Sequence, residues 1–596
     1  MRYRLLLLAG LLCLAAATSA ADHYTTAYEA RADSVIDYYA ALPYSQDAFR
    51  AMAKFHRQTD LTTACQIVDS LTARPRGDMF WLYPITALYM TCGDRMPDSS
   101  RQKIRTSFSS YAPYRGDTEN HWLMYYVSLY LLAQSFPDQP GNLWFNGKSS
   151  AENFNDAKGW IEYWMDLTTT VGQGEFDSPT YATFFLTPCF MLQRFAKDET
   201  MRTRAQIMVE WLLADLFIDT LDGTLCGAHS RIYEADIHDK HYSNASHTIA
   251  FLLGDRPLFR GDGKPETLFH NNLITALCDY RLPEILYRIG TDRSKPYLSL
   301  ERKRSRYRIR YYDERMPAVN KMLYMTSNTA LGSIQSGHTE QILQHSWNLN
   351  WKRERLGQVT TLFTLHPYYS ARDMGSLFTS YLQTVVPDVV GSKTTYDKQE
   401  KWVGSSPYEE LLQFENTLVG LYDLRSDDAL YKHYDGFFPR DFSEQTVDPS
   451  GWIFCRTGTV YIAFYPFKPV EWREEKMGKR LRSNGLTNGF IIEVKQPQEI
   501  ASFAEFKRKI MANPVDFIDQ PDNLTAIYRN LDGHRLEFTF GGERRIDGKV
   551  VSPSGYRLFD SPYIQAQVDG RKMILQHGDE KRVLDLAKPE IRTLAE

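Results

Sequence analysis

At 596 residues the chain is too long for one ordinary hydrophobic core, so two or more domains are expected. A hydrophobic content of 43% and a charged content of 24% are those of a soluble globular protein, and a formal net charge of −4 argues against nucleic acid as the main partner. Aromatic content is high, at 13% with 37 Tyr and 11 Trp, which suits sugar-stacking platforms as well as a large core and its rim.

The first residues, 1–21, read as a signal peptide. Arg2 and Arg4 form a positive n-region, Leu5 to Ala17 is an apolar stretch too short to span a bilayer, and Thr18-Ser19-Ala20-Ala21 offers small residues for cleavage before Ala21 or Asp22. Leu12 is bulky where a lipoprotein site wants a small residue, so Cys13 reads against lipid anchoring; a periplasmic or secreted protein with no membrane span is expected. Six cysteines remain, Cys65, Cys92, Cys189, Cys226, Cys278 and Cys455, none in a C-x-x-C pair, and most read as buried small hydrophobes.

From 22 to about 295 the pattern is helical. Helices are expected over Ala27–Leu42, Gln46–His56, Leu61–Ala73, Met79–Cys92, Arg101–Ser110, Asp117–Phe136, Asn153–Val171, Pro179–Phe195 and Glu199–Phe217, with shorter ones over His247–Leu253, Pro265–Cys278 and Pro283–Ile289. Short connections with Gly, Pro and Asp make consecutive antiparallel pairs, the pattern of an α/α toroid, complete or incomplete. No fixed period favours a helical solenoid.

Near residue 300 the period changes. In Ser305 to Tyr311 arginines alternate with Tyr307, Ile309 and Tyr311, and strand-like runs follow at Met322–Thr326, Val359–Thr364, Val460–Phe464, Gly489–Val494, Leu536–Phe540 and Lys572–Gln576. The expected fold class is therefore α+β multidomain. A helical toroid over 22–295 precedes a large antiparallel β-sandwich over 296–596, with a small terminal sheet from about 535.

Polar residues at the start of the apolar helix Trp122–Phe136 are the first candidates for chemistry. Asn120 and His121 occupy its first turn, capped by Asp117 or Thr118, where unpaired N–H groups and the helix dipole favour an anion. A second patch, Gly174-Glu175-Phe176-Asp177-Ser178-Pro179-Thr180-Tyr181, follows one helix pair later. A third, His229-Ser230-Arg231-Ile232-Tyr233-Glu234, trails a Leu221–Gly223 turn, and here Arg231 can clamp a carboxylate or pair with Glu234. Asp236, His238, Asp239 and His241 offer weak metal-ligand spacing; no cofactor is expected, and a structural divalent metal stays unassigned.

Asn120-His121 opening an aromatic helix, and Glu175-Phe176-Asp177-Ser178-Pro179-Thr180-Tyr181, together resemble the corresponding segments of heparinase II/III-like and alginate-lyase-like polysaccharide lyases. Ala182 stands where those relatives usually carry His. Their His-x-His-x-Asp segment has no counterpart, Ser336-Gly337-His338-Thr339 and Gln344-His345-Ser346-Trp347 being the nearest. The resemblance implies cleavage of an acidic, uronate-containing glycan by β-elimination, with Asn120, His121, Tyr181, His229, Arg231 and Tyr233 as catalytic candidates and Glu119, Trp122, Glu175, Asp177 and Ser178 lining the substrate. In this reading Asn120 neutralises the uronate carboxylate, and the base is one of His121, His229 and Tyr181. Two other readings stand beside it: a glycoside hydrolase using Glu119, Glu175 or Asp177, and a non-catalytic glycan-binding protein.

Overall fold

The computed structural model describes residues 24–116, 118–305, 318–338, 343–353, 358–369 and 398–595. The leader, Asp117 and the alternating run from Arg306 to Tyr311 lie outside the described residues.

The helical half contains α1 (24–41), α2 (Ala48–Arg57), α3 (Leu61–Ala73), α4 (Met79–Cys92), α5 (Asp98–Ser110), α6 (Glu119–Ser135), α7 (Ser150–Val171), α8 (Ala182–Phe195) and α9 (Glu199–Ile218). Shorter helices follow: α10 (Glu234–His238), α11 (Asn244–Leu253), α12 (Asn271–Leu277) and α13 (Glu284–Thr291). One layer packs in the order α2, α4, α6, α8, α12, while α3, α5, α7, α9 and α13 pack outside it. This two-layer order is the expected toroid. The inner helices α4, α6 and α8 are buried on nearly every side, as their near-continuous apolar sequences require. No described helix is long and apolar enough to cross a membrane.

The chain turns to strands at β1 (Tyr297–Lys303), followed by β2 (Val319–Met325), β3 (Thr329–Ser336) and β4 (Trp347–Lys352), neighbours in an antiparallel sheet of thirteen strands among the described residues. A six-stranded sheet packs on it through Trp347, Leu349, Trp351, Tyr422, Tyr434, Phe464 and Phe490. Helix Phe503–Ala512 and a separate five-stranded sheet cover the other side of the six-stranded one. That separate sheet begins at Val515, not near 535. The strands from Phe559 onward rejoin the large sheet beside β1, because Phe559, Met573 and Leu575 pack into the core of the helical half. The six described cysteines carry free thiols, five of them buried.

Two features weld the halves together. The loop after Leu225 runs as an added strand: His229 and His345 exchange backbone hydrogen bonds of 3.1 and 2.8 Å, and the Ile232 N–H donates to the Leu343 carbonyl at 3.0 Å. At this seam a Cβ on Gly332 would stand 2.6 Å from the Gly227 Cα, and Gly227 holds a φ of 83°, so both positions need glycine. The second feature is a buried ionic cluster. Lys321 of β2 donates to Asp219 at 2.8 Å, to Glu301 at 3.1 Å and to Asp177; Lys303 of β1 pairs with Glu301 at 3.0 Å and with Asp215.

Four carboxyl groups face two ammonium groups in this cluster, so full ionisation would bury net negative charge. Burial and the neighbouring Asp177 push Asp215 up to about 8, and burial with Glu301 pushes Asp219 well above the carboxylate range. Burial would raise Glu301 as well, but Lys303 and Lys321 outweigh it and bring it down to about 2. Burial would lower both lysines, yet the surrounding carboxylates raise them above the ordinary range. Protons on Asp215 and Asp219 thus leave two ammonium ions against Asp177 and Glu301, a neutral set.

The cluster predicts a stability profile. The unfolded chain releases the Asp215 proton near 3.8 and the folded chain at about 8, so stability is lost as pH rises through that window. Glu301 acts in the opposite sense: its contribution is full above 4.5 and lost as pH falls towards 2. Calorimetry from pH 5 to 9 (roughly the range of maximal stability for most proteins) should show a falling Tm that Asp215→Asn flattens. Lys321→Met leaves Asp177 and Glu301 to share Lys303 alone and should cost about 3–5 kcal/mol.

Candidate active site

Five inner helices begin at the same end of the toroid. Asp47 caps α2 by accepting the Phe49 N–H, and Asp78 caps α4 by accepting the Phe80 N–H, each at 2.9 Å. Thr118 precedes α6, Tyr181 precedes α8 and His270 precedes α12. Their first-turn rings touch: His270 lies 4.5 Å from Phe49 and 6.5 Å from Phe184, and Phe80 lies 5.5 Å from Phe184 and 5.4 Å from His121. The positive ends of the helix dipoles therefore converge on this rim.

Glu175 organises the groups beneath the rim. Its fully buried carboxylate accepts the Asn120 backbone N–H at 3.3 Å and the Asn120 side-chain amide, and pairs with Arg231 Nε at 3.3 Å. Thr118 makes no side-chain cap, so Glu175 takes over that work from a distant loop. Glu119 backs Glu175: it accepts the Glu175 N–H at 2.9 Å and the Trp164 indole N–H at 2.8 Å, and pairs with Arg304. Burial pushes the Glu119 carboxyl up, with Arg304 opposing. Gly174 passes so close to Arg304 and Glu119 that no side chain fits there.

Tyr181 and Tyr233 carry half-buried hydroxyls 3.0 Å apart, and the Arg231 guanidinium lies 4.7 Å from the centre of the Tyr181 ring. Burial raises the Tyr181 phenol well above its ordinary value, although Arg231 pulls the other way, so it stands protonated. Arg231 and Asp177 both hold left-handed backbone, with φ of 53° and 45°. Such residues cost about 1–3 kcal/mol each and persist where the surroundings fix them. Here they aim Arg231 at Glu175 and Asp177 at Lys321. His121 is half-buried, edge-on to Phe80, with Gly116 pressed against its ring.

Asn120 and Arg231 meet at Glu175, Tyr181 and Tyr233 lie beside Arg231, and His121 is linked to Tyr181 through the rings of Phe80 and Phe184, but several expected roles change. Both side-chain N–H groups of Asn120 are spent on Thr118 and Glu175, so it holds Glu175 and does not present a donor to a carboxylate. His229 is fully buried. Its Nδ1 meets the Asp177 carbonyl and its Nε2 the Lys240 amine, each at 2.8 Å, so neither nitrogen is left to take a substrate proton. Burial holds His229 well below the usual imidazole range and brings Lys240 down to about 7. Glu119, Glu175 and Asp177 are buried against protein donors and no two of them face each other across a cleft, which removes the hydrolase pair and their role as substrate contacts. Ser178 is likewise internal, donating to the Arg231 carbonyl and accepting the Tyr181 N–H. Trp122 donates to the Gly116 carbonyl, and Arg115 covers its ring at 4.0 Å.

The suggested metal quartet disperses. Asp236 bonds Thr180, and His241 Nδ1 meets Arg256 at 2.6 Å. Glu234 accepts the Trp402 N–H at 2.9 Å and does not pair with Arg231. Among the described residues, Asp177, Asp215 and Glu301 are close enough to share an ion. Lys303 and Lys321 already place their ammonium groups between those carboxylates, so the set does not fit a metal. Sequence reasoning missed Arg304, Lys240 and Phe80. Arg304 meets Glu119 across 185 positions, and no local pattern announces that pairing.

No family model matches the chain, and no curated protein is similar to it in sequence. Solved structures match it at low identity, two heparan sulfate lyase chains among them. Heparan sulfate lyase HepC from Pedobacter heparinus is 10% identical with a TM-score of 0.37, covering 87% of this chain and 82% of its own. A mutant of the same lyase gives 10% and 0.36, covering 82% and 80%. At that distance the likeness decides nothing about chemistry, which rests on the geometry of the residues around Glu175 and Tyr181.

Proposed function

We propose that this protein is a polysaccharide lyase that cleaves a uronate-containing glycan by β-elimination. The observation that carries the reading is the Tyr181–Tyr233 hydroxyl pair at the cleft, with the Arg231 cation against the Tyr181 ring. A protonated phenol beside a fixed cation is a proton donor whose anion is stabilised when the proton leaves. In the reaction, His121 takes the proton from C5 of the uronate. The electron pair forms the C4–C5 double bond as the C4–oxygen bond breaks, and Tyr181 gives its proton to the leaving oxygen. Tyr233, bonded to Tyr181, relays the replacement proton. Arg231 and the converging helix N-termini offset the charge that grows on the uronate carboxylate.

The test is incubation of the purified protein with uronate polymers, watching for unsaturated, ultraviolet-absorbing ends. Saturated products with new reducing ends, or intact polymer across the whole panel, would overturn the reading. Tyr181→Phe and His121→Ala should each lower kcat by about 10²–10⁴-fold while leaving Tm unchanged. His229→Ala should instead lower Tm, because it strands Lys240 and opens the seam.

Glu175→Gln separates positioning from chemistry. It keeps the shape but removes the charge that holds Arg231, so Arg231 loses its aim at Tyr181. Activity should fall about 10–10³-fold, with KM and kcat both affected. Arg231→Lys should fall comparably, since an ammonium cannot repeat the guanidinium's planar contact with the ring. If Arg231→Lys keeps wild-type kcat, Arg231 has no part in the proton transfer.

A further inference from the structure

Tyr233, the second tyrosine of the pair, stands immediately before α10. A helix of five residues cannot hold its own shape, since isolated helices below about 12–15 residues are marginal. Its neighbours hold it instead. The Thr180 hydroxyl bonds Asp236, which ties α10 to the loop of Tyr181. From the β-half, the Trp402 backbone N–H donates to Glu234 at 2.9 Å. Ile237 is fully buried in one apolar cluster with Ile232, Phe363, Trp402 and Phe437, and Tyr233 packs against that cluster. The His238 ring lies 4.4 Å from Phe437 and 5.8 Å from Trp402.

Trp402 lies outside regular structure, yet it is only 5% exposed. Its indole N–H donates to Glu475 at 2.9 Å, and the Arg480 guanidinium lies 3.7 Å from its ring centre. Arg480 is itself fixed. Its Nε bonds Glu475 at 2.5 Å, its Nη1 bonds Asp435, and its Nη2 donates to the Glu400 carbonyl at 2.8 Å. Arg480 and Asp435 sit on paired strands of the thirteen-stranded sheet. The sheet therefore holds the indole, and the same residue holds the first turn of the helix that Tyr233 begins. Packing alone would bury the indole; it does not require the hydrogen bond to Glu234, made one residue from Tyr233. That bond matters because the Tyr181 and Tyr233 hydroxyls stand 3.0 Å apart. A shift of about 1 Å takes such a pair out of hydrogen-bond reach.

We propose that Trp402 is a positioning residue: through Glu234 it fixes where the Tyr233 hydroxyl meets Tyr181. It acts through Tyr233 and not on the substrate. The part Tyr233 plays in proton transfer rests on the lyase reading, whereas its placement by Trp402 does not.

The test follows Tyr233 directly and then by turnover. Glu234→Ala removes the acceptor and leaves the apolar cluster intact, whereas Trp402→Ala also empties part of that cluster. A fluorotyrosine placed at position 233 alone reports its surroundings by fluorine NMR. Its resonance should shift or broaden in Glu234→Ala and in Trp402→Ala. It should return to the wild-type position in Glu234→Gln, whose amide oxygen still accepts the N–H. Glu234→Ala should lower kcat about 10–10²-fold and leave KM within about two-fold. In a Tyr233→Phe background the same change should cost less than about two-fold, because its effect runs through the missing hydroxyl. An unchanged resonance in Glu234→Ala, or one that moves there but not in Trp402→Ala, would overturn the assignment. Full additivity of Glu234→Ala with Tyr233→Phe would do the same. Absence of turnover on every uronate polymer would instead sink the lyase reading, and the fluorine spectra would still decide whether Trp402 sets Tyr233.

Discussion

Lys321 is the point on which the arrangement turns. Its ammonium is buried where Asp177 and Asp219 arrive from the helical half and Glu301 from the neighbouring strand. Asp177 belongs to the loop that carries Tyr181, and its carbonyl holds His229, which begins the loop that carries Arg231 and Tyr233. Ser178 then ties the two loops, giving its proton to the Arg231 carbonyl while accepting the Tyr181 N–H. The cleft groups stand on helical-half loops, but a lysine of the β-half sets their positions. A toroid without its sheet would lack the anchor for both loops.

Ionic groups are a costly way to join two domains. Isosteric apolar residues often give equal or greater stability, since desolvation of each charge consumes most of the attraction. What the charges add here is direction. Apolar packing tolerates small slips, whereas Lys321 and Lys303 are satisfied only when β1, β2, the end of α9 and the Asp177 loop meet in one register. The same logic repeats one layer up, where Glu175 meets its donors from α6 and from the Arg231 loop in one geometry. Two left-handed residues, Asp177 and Arg231, are held by these contacts.

How much of this was legible depends on range. Helices with sustained apolar period declared themselves, and Leu61–Ala73 and Met79–Cys92 end where the sequence places them. Glu234–His238 escaped because five residues carry no period. Asn120, His121 and Tyr181 were visible as polar residues at helix starts. Their wiring was not, because it is written between distant positions: Asn120 with Glu175, 55 apart, and Ser178 with Arg231, 53 apart. His229 shows the limit most clearly. A histidine in a polar loop has the right chemistry for a base, and only the Lys240 amine on one side and the Asp177 carbonyl on the other turn it into a structural pin.

The protonation of Tyr181 narrows the division of labour. Burial raises its phenol and Arg231 only partly offsets that, so in the proposed reaction the phenol would act as the acid. A bound uronate adds negative charge nearby and strengthens that preference. A phenol in this state cannot open the reaction by taking a proton, so the acceptor is a different group. His229 is spent on Asp177 and Lys240, and Asn120 has no proton-accepting chemistry. Of the sequence's candidates for the proposed base this leaves His121, on the neighbouring inner helix at the same rim. In the proposed reaction, acid and base would then come from the starts of α8 and α6, neighbouring inner helices.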